Sequence, residues 1–206
     1  MIGEFRTGLI VSSDGAKHSP RSDKTGALIT LESGGRYKEA SRRGKMAFSY
    51  CAARATSVPA TAMIGNIVFN PMGSGVLLSL CKWWAQIQVT SATTLGVGLA
   101  YTAQAITPTS TTAADSSGSC LLNAGSPGNC MAKAYAIATL LVVPTVVVNL
   151  WHNTAAIATT GVDIMQGDLE GLFTVPPGYA VCLCALSAAV ATAGMTSTLT
   201  WEEIPE

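Results

Sequence analysis

Hydrophobic and polar positions along the 206-residue chain alternate in short runs punctuated by Gly and Pro. The clearest is Val76 to Thr90. Its second half puts Trp83, Ala85, Ile87 and Val89 on one face and Lys82, Trp84, Gln86 and Gln88 on the other. This predicts a strand with one core face and one polar face, the latter bearing a Trp able to meet a neighbour. Thr196 to Glu203 divides similarly, with Thr196, Thr198, Thr200 and Glu202 against Ser197, Leu199, Trp201 and Glu203. Further runs predict strands at Gly26 to Leu31, Met46 to Arg54, Ile64 to Phe69, Val97 to Gln104, Asp168 to Val175 and Tyr179 to Leu186. Met131 to Val148 predicts one or two more, joined near Pro144. Asn70-Pro71-Met72-Gly73-Ser74-Gly75 and Pro176-Pro177-Gly178 have turn composition. Ser12 to Pro20 reads as an exposed polar linker, and Thr107 to Asn129 as a loop rich in Ser, Thr, Gly and Pro, of a length that usually makes contacts.

Nothing has the period of a long amphipathic helix and no repeat of fixed spacing occurs. The expected fold is therefore all-β, a jelly-roll-like β-sandwich or related barrel of eight to ten short strands. An extended N-terminal arm over residues 1–45 would precede a β-domain over residues 46–206.

Composition sharpens this picture. The chain is 49% hydrophobic and 12% charged, against roughly 25% charged in an ordinary domain, which excludes intrinsic disorder. A mean hydropathy of +0.38 raises the question of a membrane span. The best stretch, Ala134 to Trp151, is uncharged and long enough to cross. Pro144 at its middle, its β-branched residues and the lack of a flanking basic cluster favour two buried strands, so no membrane partner is expected. Met1 to Arg6 has no apolar signal region, so export by that route is not expected.

Charge is unevenly placed. Residues 1–54 carry ten Lys/Arg and five Asp/Glu, and residues 55–206 two and seven. Between Ala55 and Val162 only Lys82, Asp115 and Lys133 are charged. Such a surface predicts cover by partner subunits or by small Ser, Thr and Ala side chains. The basic run from Arg36 to Lys45, with Lys38, Arg42 and Arg43 inside it, reads better as an arm docking on an acidic protein surface than as a nucleic-acid contact.

The search for chemistry returns no motif. His18 falls in the linker and His152 after an apolar run, where pairing with Asp163 would be needed for base catalysis. There is no HExxH, Walker loop or GxSxG, and Gly96-Val97-Gly98 lacks the third glycine of a dinucleotide loop. Asp163, Asp168 and Glu170 are close enough in sequence to hold calcium but lack EF-hand spacing, and read as solvated acids. The six cysteines form no CxxC pair, so structural zinc is not expected. Cys182 and Cys184 would share one face of a strand as small core hydrophobes. Cys120 and Cys130 flank a turn-rich span that would let them form a disulfide under oxidising conditions. No catalytic residue, metal site or cofactor is assigned.

Three blocks carry a resemblance. Gly34 to Gly44 followed by a strand, Asn70 to Gly75 before another, and Asp168 to Gly178 leading to Thr200 to Pro205 resemble a group of bacteriophage virion structural proteins. Together they frame most of residues 34–206; residues 1–33 have no counterpart in the pattern. The resemblance implies a jelly-roll subunit on the particle surface, typically a homotrimer. Two non-enzymatic roles follow. One is a capsid decoration or cement protein whose arm, through Arg36, Lys38, Arg42, Arg43 and Lys45, holds the major capsid protein. The other is a fibre or tail adhesin whose β-domain binds a host receptor or glycan. An enzyme such as a depolymerase is disfavoured, because Glu202 and Glu203 point to opposite faces and cannot flank one glycosidic bond. The arm favours decoration, which places the protein on the virion after synthesis in the host cytoplasm.

Overall fold

The computed structural model describes residues 10–11, 17–18, 44–87, 96–119, 130–152, 163–186 and 194–206. The chain divides into two units, Met1–Lys38 and Glu39–Glu206, so the division falls inside the basic run. In the first unit, β1 (Ile10–Val11) and β2 (Lys17–His18) pair antiparallel with Ile10 opposite His18. The segment read as a polar linker thus carries a short strand at its Lys17 end. The strand expected at residues 26–31 lies outside the described residues.

The second unit contains β3 (Met46–Ala55), β4 (Ala62–Asn70), β5 (Val76–Ile87), β6 (Gly96–Ala103), β7 (Thr109–Ala113) and β8 (Ser116–Ser119). Then follow β9 (Lys133–Thr139), β10 (Thr145–His152), β11 (Asp163–Asp168), β12 (Thr174–Val175), β13 (Tyr179–Ala185) and β14 (Gly194–Pro205). No helix occurs among the described residues, and none is long and apolar enough to cross a membrane. One sheet has the order β10-β6-β13-β4-β9-β7. The other has the order β11-β5-β14-β3-β8, with β12 also pairing β5.

The pairing follows one rule once β7 to β9 are set aside. β3 pairs with β14, β4 with β13, β5 with β11 and β12, and β6 with β10. The first strand lies beside the last, the second beside the next to last, and successive pairs fall in opposite sheets. A long antiparallel ribbon rolled on itself gives this order, which is the jelly roll expected from the sequence. The segment between β6 and β10 widens both sheets at the same side. β9 and β7 extend the sheet beyond β4, and β8 extends the other beyond β3.

The alternation read from the sequence holds in the long strands. Trp83, Ala85 and Ile87 are buried in the core, while Lys82, Trp84 and Gln86 face out. Leu78, Leu80, Leu99, Leu183, Leu199 and Trp201 fill the space between the sheets. A second buried cluster on the opposite face of the β4-containing sheet holds Met63, Ile67, Phe69, Ala100, Cys182 and Cys184. β13 is therefore apolar on both faces, which is why its sequence reads as a continuous hydrophobic run. Gly98 leaves room beside this cluster for the Leu186 side chain, which a Cβ there would push aside.

Three expectations need correction. The loop expected over residues 107–129 contains β7 and β8, and the part from Cys120 to Asn129 lies outside the described residues. Every residue of β7 is exposed, so neither of its faces selects apolar side chains and no alternation marks it. The single strand expected over residues 168–175 is two strands, β11 ending at Asp168 and β12 beginning at Thr174. Between them the Asp168 carboxylate accepts the Glu170 N–H at 3.0 Å, and Glu170 and Gly171 both adopt positive φ (49° and 78°), reversing the chain. The apolar run near Pro144 resolves into two strands, β9 and β10, as expected, but β10 is not a buried strand: five of its eight residues are exposed, because it is the edge of its sheet.

Candidate functional site

The sandwich has two unlike sides. On one, the edge strands are β7 and β8, built from Ser, Thr, Gly and Ala. On the other, the edges are β10 and the β11/β12 pair. β10 reads Thr-Val-Val-Val-Asn-Leu-Trp-His, and five of its eight residues are exposed. Val147 is 48% exposed, and Leu172, beside β12, is 80% exposed. Between these edges an apolar cleft of about 180 Å³ enters the core, lined by Leu80, Leu99, Tyr101, Val147, Phe173 and Val181 among others. Tyr101 and Tyr179 stack nearby with ring centroids 5.0 Å apart.

The apolar side continues onto the turn before β10. Leu141, Val142 and Val143 are all about half exposed or more, as is Ile106. Their outward placement is fixed by polar contacts beneath them. Buried Gln104 donates from Nε2 to the Ile106 carbonyl at 2.7 Å and accepts the Leu141 N–H on Oε1 at 2.9 Å. The Thr102 hydroxyl donates to the Val142 carbonyl at 3.3 Å. With these backbone groups satisfied inward, the side chains stand in solvent as a contiguous apolar feature. Such features on a folded chain mark contact sites.

β10 is also poorly suited to adding a further strand. Its ladder to β6 shifts register between Val146 and Val148 and again between Asn149 and Trp151. Bulges of this kind twist an edge away from strand addition. A partner on this side therefore meets side chains rather than extending the sheet.

The buried polar residues act as staples. Asn66 on β4 accepts the Ser49 hydroxyl at 2.6 Å and donates to the carbonyls of Ser49 and Ser197 in the opposite sheet. Asn70 donates to the Val76 and Val175 carbonyls at 2.8 and 2.9 Å and accepts the Ser74 hydroxyl at 2.7 Å. The turn motif Asn70 to Gly75 is therefore a cross-sheet clamp. Glu203 is buried, and its carboxylate accepts the N–H groups of Met131 and Ala132 and the Cys130 thiol at 2.9 to 3.1 Å. It holds the approach to β9, and its separation from Glu202 onto the opposite face is as expected. Ser197 Oγ and Trp201 Nε1 are buried without a hydrogen-bond partner among the described residues.

Of the five basic residues assigned to capsid contact, Arg36, Lys38, Arg42 and Arg43 lie outside the described residues. Lys45 is half-buried at the start of β3, and its carbonyl accepts the Glu203 N–H at 2.7 Å. Cys120 lies outside the described residues, and with it the Cys120–Cys130 pairing. Cys182 and Cys184 are fully buried in the second cluster as expected. Burial pushes the Cys182 thiol up, with Cys184 beside it adding to the effect. Burial likewise pushes Cys184 up to about 11, against a smaller opposing effect of a backbone hydrogen bond from Gly98. Both thiols are protonated at neutral pH and so are not nucleophiles. His152 is exposed at the end of β10 and Asp163 begins β11 in the other sheet. Asp168 lies 3.8 Å from Lys82 Nζ, and no group of three or more His, Cys, Asp or Glu able to hold a metal ion occurs among the described residues.

Sequence reasoning did not find the apolar cleft. Val146 to Val148 reads as buried strand, because a Val-rich run looks alike whether a sheet or a partner covers it. No family model matches the chain, and no curated protein or solved structure is significantly similar to it.

Proposed function

We propose that this protein is a structural subunit of a bacteriophage particle, a decoration or cement protein that binds the outer capsid surface as a homotrimer and stabilises the shell. The observation that carries the reading is the uncovered apolar side of the jelly roll, from Leu141 to Val147 and across the cleft to Leu172. In a domain with three charged residues between positions 55 and 162, that side is where copies of the chain meet. The resemblance of residues 34–44, 70–75, 168–178 and 200–205 to virion proteins supports the particle as the setting. The basic arm supplies the capsid contact: Arg36, Arg42 and Arg43 pair with capsid carboxylates in bidentate fashion, and Lys38 and Lys45 add charge.

The proposed arm, residues 1–45, extends past the division at Lys38/Glu39, so its last seven residues fall in the same unit as the β-domain. Removing residues 1–45 should leave the β-domain folded and trimeric while abolishing co-sedimentation with particles that lack the protein. Replacing Arg36, Arg42 and Arg43 together with Ala should weaken attachment and flatten its dependence on salt. Attachment by the truncated chain at undiminished strength would remove the arm from the mechanism.

A further inference from the structure

A second surface lies on the outward face of the β5-containing sheet. The register places Gln166, Trp84, Thr198 and Tyr50 in one row across β11, β5, β14 and β3. Asp168, Lys82, Thr200 and Phe48 form the next row. Side chains in such rows share a face. A groove of about 490 Å³ runs along it, lined by Lys82, Trp84, Gln166, Asp168, Thr198 and Thr200, with Trp83 reaching it beside Gly167. Gly167 faces the core opposite Trp83, and a Cβ there would collide with the Trp83 indole Nε1, so the glycine lets that buried ring lie beneath β11.

The chemistry of the lining selects a ligand class. Among the described residues that line the groove, the formal charges are Lys82 and Asp168, which oppose each other at 3.8 Å, a balance that favours an uncharged ligand over an ion. What remains is an amide, hydroxyls and a half-exposed indole on a rigid strand. An indole face covers the C–H face of a pyranose ring, while carboxylate, ammonium and amide groups at its rim bond the ring hydroxyls. Neither a lipid nor a polyanion is matched by this set. A hydroxyl-rich, uncharged chain is.

We propose that the groove over Trp84 binds a neutral glycan chain, with Trp84 as the stacking platform and Gln166, Asp168 and Lys82 as its hydrogen-bonding rim. The site is on a different face from the apolar side that joins copies, so it does not depend on the decoration role. A protein carrying both would hold the shell with one surface and weakly tether the particle to polysaccharide with another.

Affinity electrophoresis of the full chain tests this directly. Native gels are cast with a soluble α-glucan, β-glucan, galactomannan or xylan, and a parallel gel with heparin. At least one neutral polymer should retard the protein and heparin should not. Trp84→Ala should weaken the retardation on the order of tenfold or more, the loss expected of a buried-face aromatic anchor. Trp84→Phe should retain part of it, and Gln166→Ala, which removes only a rim contact, should weaken it less. Unchanged mobility in a polymer-free gel and an unchanged melting temperature show that each variant is folded; if Trp84→Ala is not, Trp84→Phe and Gln166→Ala carry the comparison. No retardation by any of the four neutral polymers overturns the proposal. Retardation by heparin alone, or retardation that the folded variants leave intact, does so too.

Discussion

Val147→Asp should convert a trimer of this protein into monomers. Val147 sits at the first bulge of β10 and lines the mouth of the apolar cleft, half exposed in the isolated subunit. In the monomer the new carboxylate turns to water, so unfolding stability should change by less than about 1 kcal/mol. In the proposed trimer it would be trapped beside Phe173 and against the facing copy. Burying an unpaired charge costs several kcal/mol, and a loss of only about 4 kcal/mol at each contact raises the dissociation constant on the order of a thousandfold. Sedimentation equilibrium at micromolar concentration should give three times the chain mass of 21.2 kDa for the native protein and one chain mass for the variant. A native monomer, or a variant that remains trimeric, would show that copies do not meet through this side.

The second large effect is expected inside the fold. Asn70 makes three hydrogen bonds that join the end of β4 to the start of β5, to β12 and to the Ser74 turn. Asn70→Ala leaves two buried carbonyls and a hydroxyl short of partners and should cost about 3 kcal/mol, lowering the melting temperature by roughly 10 °C. Asn70→Asp should be at least as damaging at neutral pH, because it sets a carboxylate oxygen against the carbonyls of Val76 and Val175. Asn70→Ala costing under about 1 kcal/mol in urea unfolding would mean that the motif serves something other than the clamp.

Much of the fold is legible because burial of one face writes a period of two into a strand. That is why the second half of Val76 to Thr90 and the run Thr196 to Glu203 can be assigned to their faces, although β14 extends beyond the latter, from Gly194 to Pro205. The period disappears where both faces meet the same environment. β13 is buried on both faces, and β7 is exposed on both; the first still reads as a strand from its apolar run, while the second reads as loop. Bulges also erase it. The register shift between Ile64 and Ile67 places Asn66 in the core of an otherwise apolar strand, a position with no signature in the sequence. The contact side is the least legible part. Composition predicts that some surface is covered, and it is the three-dimensional neighbourhood of Val147 and Phe173 that points to the side proposed above.

In the proposed function, the chain stabilises a shell by binding it. A ligand that binds the assembled state and not the dissociated one shifts the balance by about 3 kcal/mol at a free concentration on the order of 100 times Kd, and many copies act on each particle. The rupture temperature of particles stripped of the protein, measured before and after re-addition of the full chain, reads this most directly. Rupture should move several degrees higher on re-addition, and should return to the stripped value when the re-added chain lacks residues 1–45. Identical rupture temperatures with and without bound protein would contradict the account.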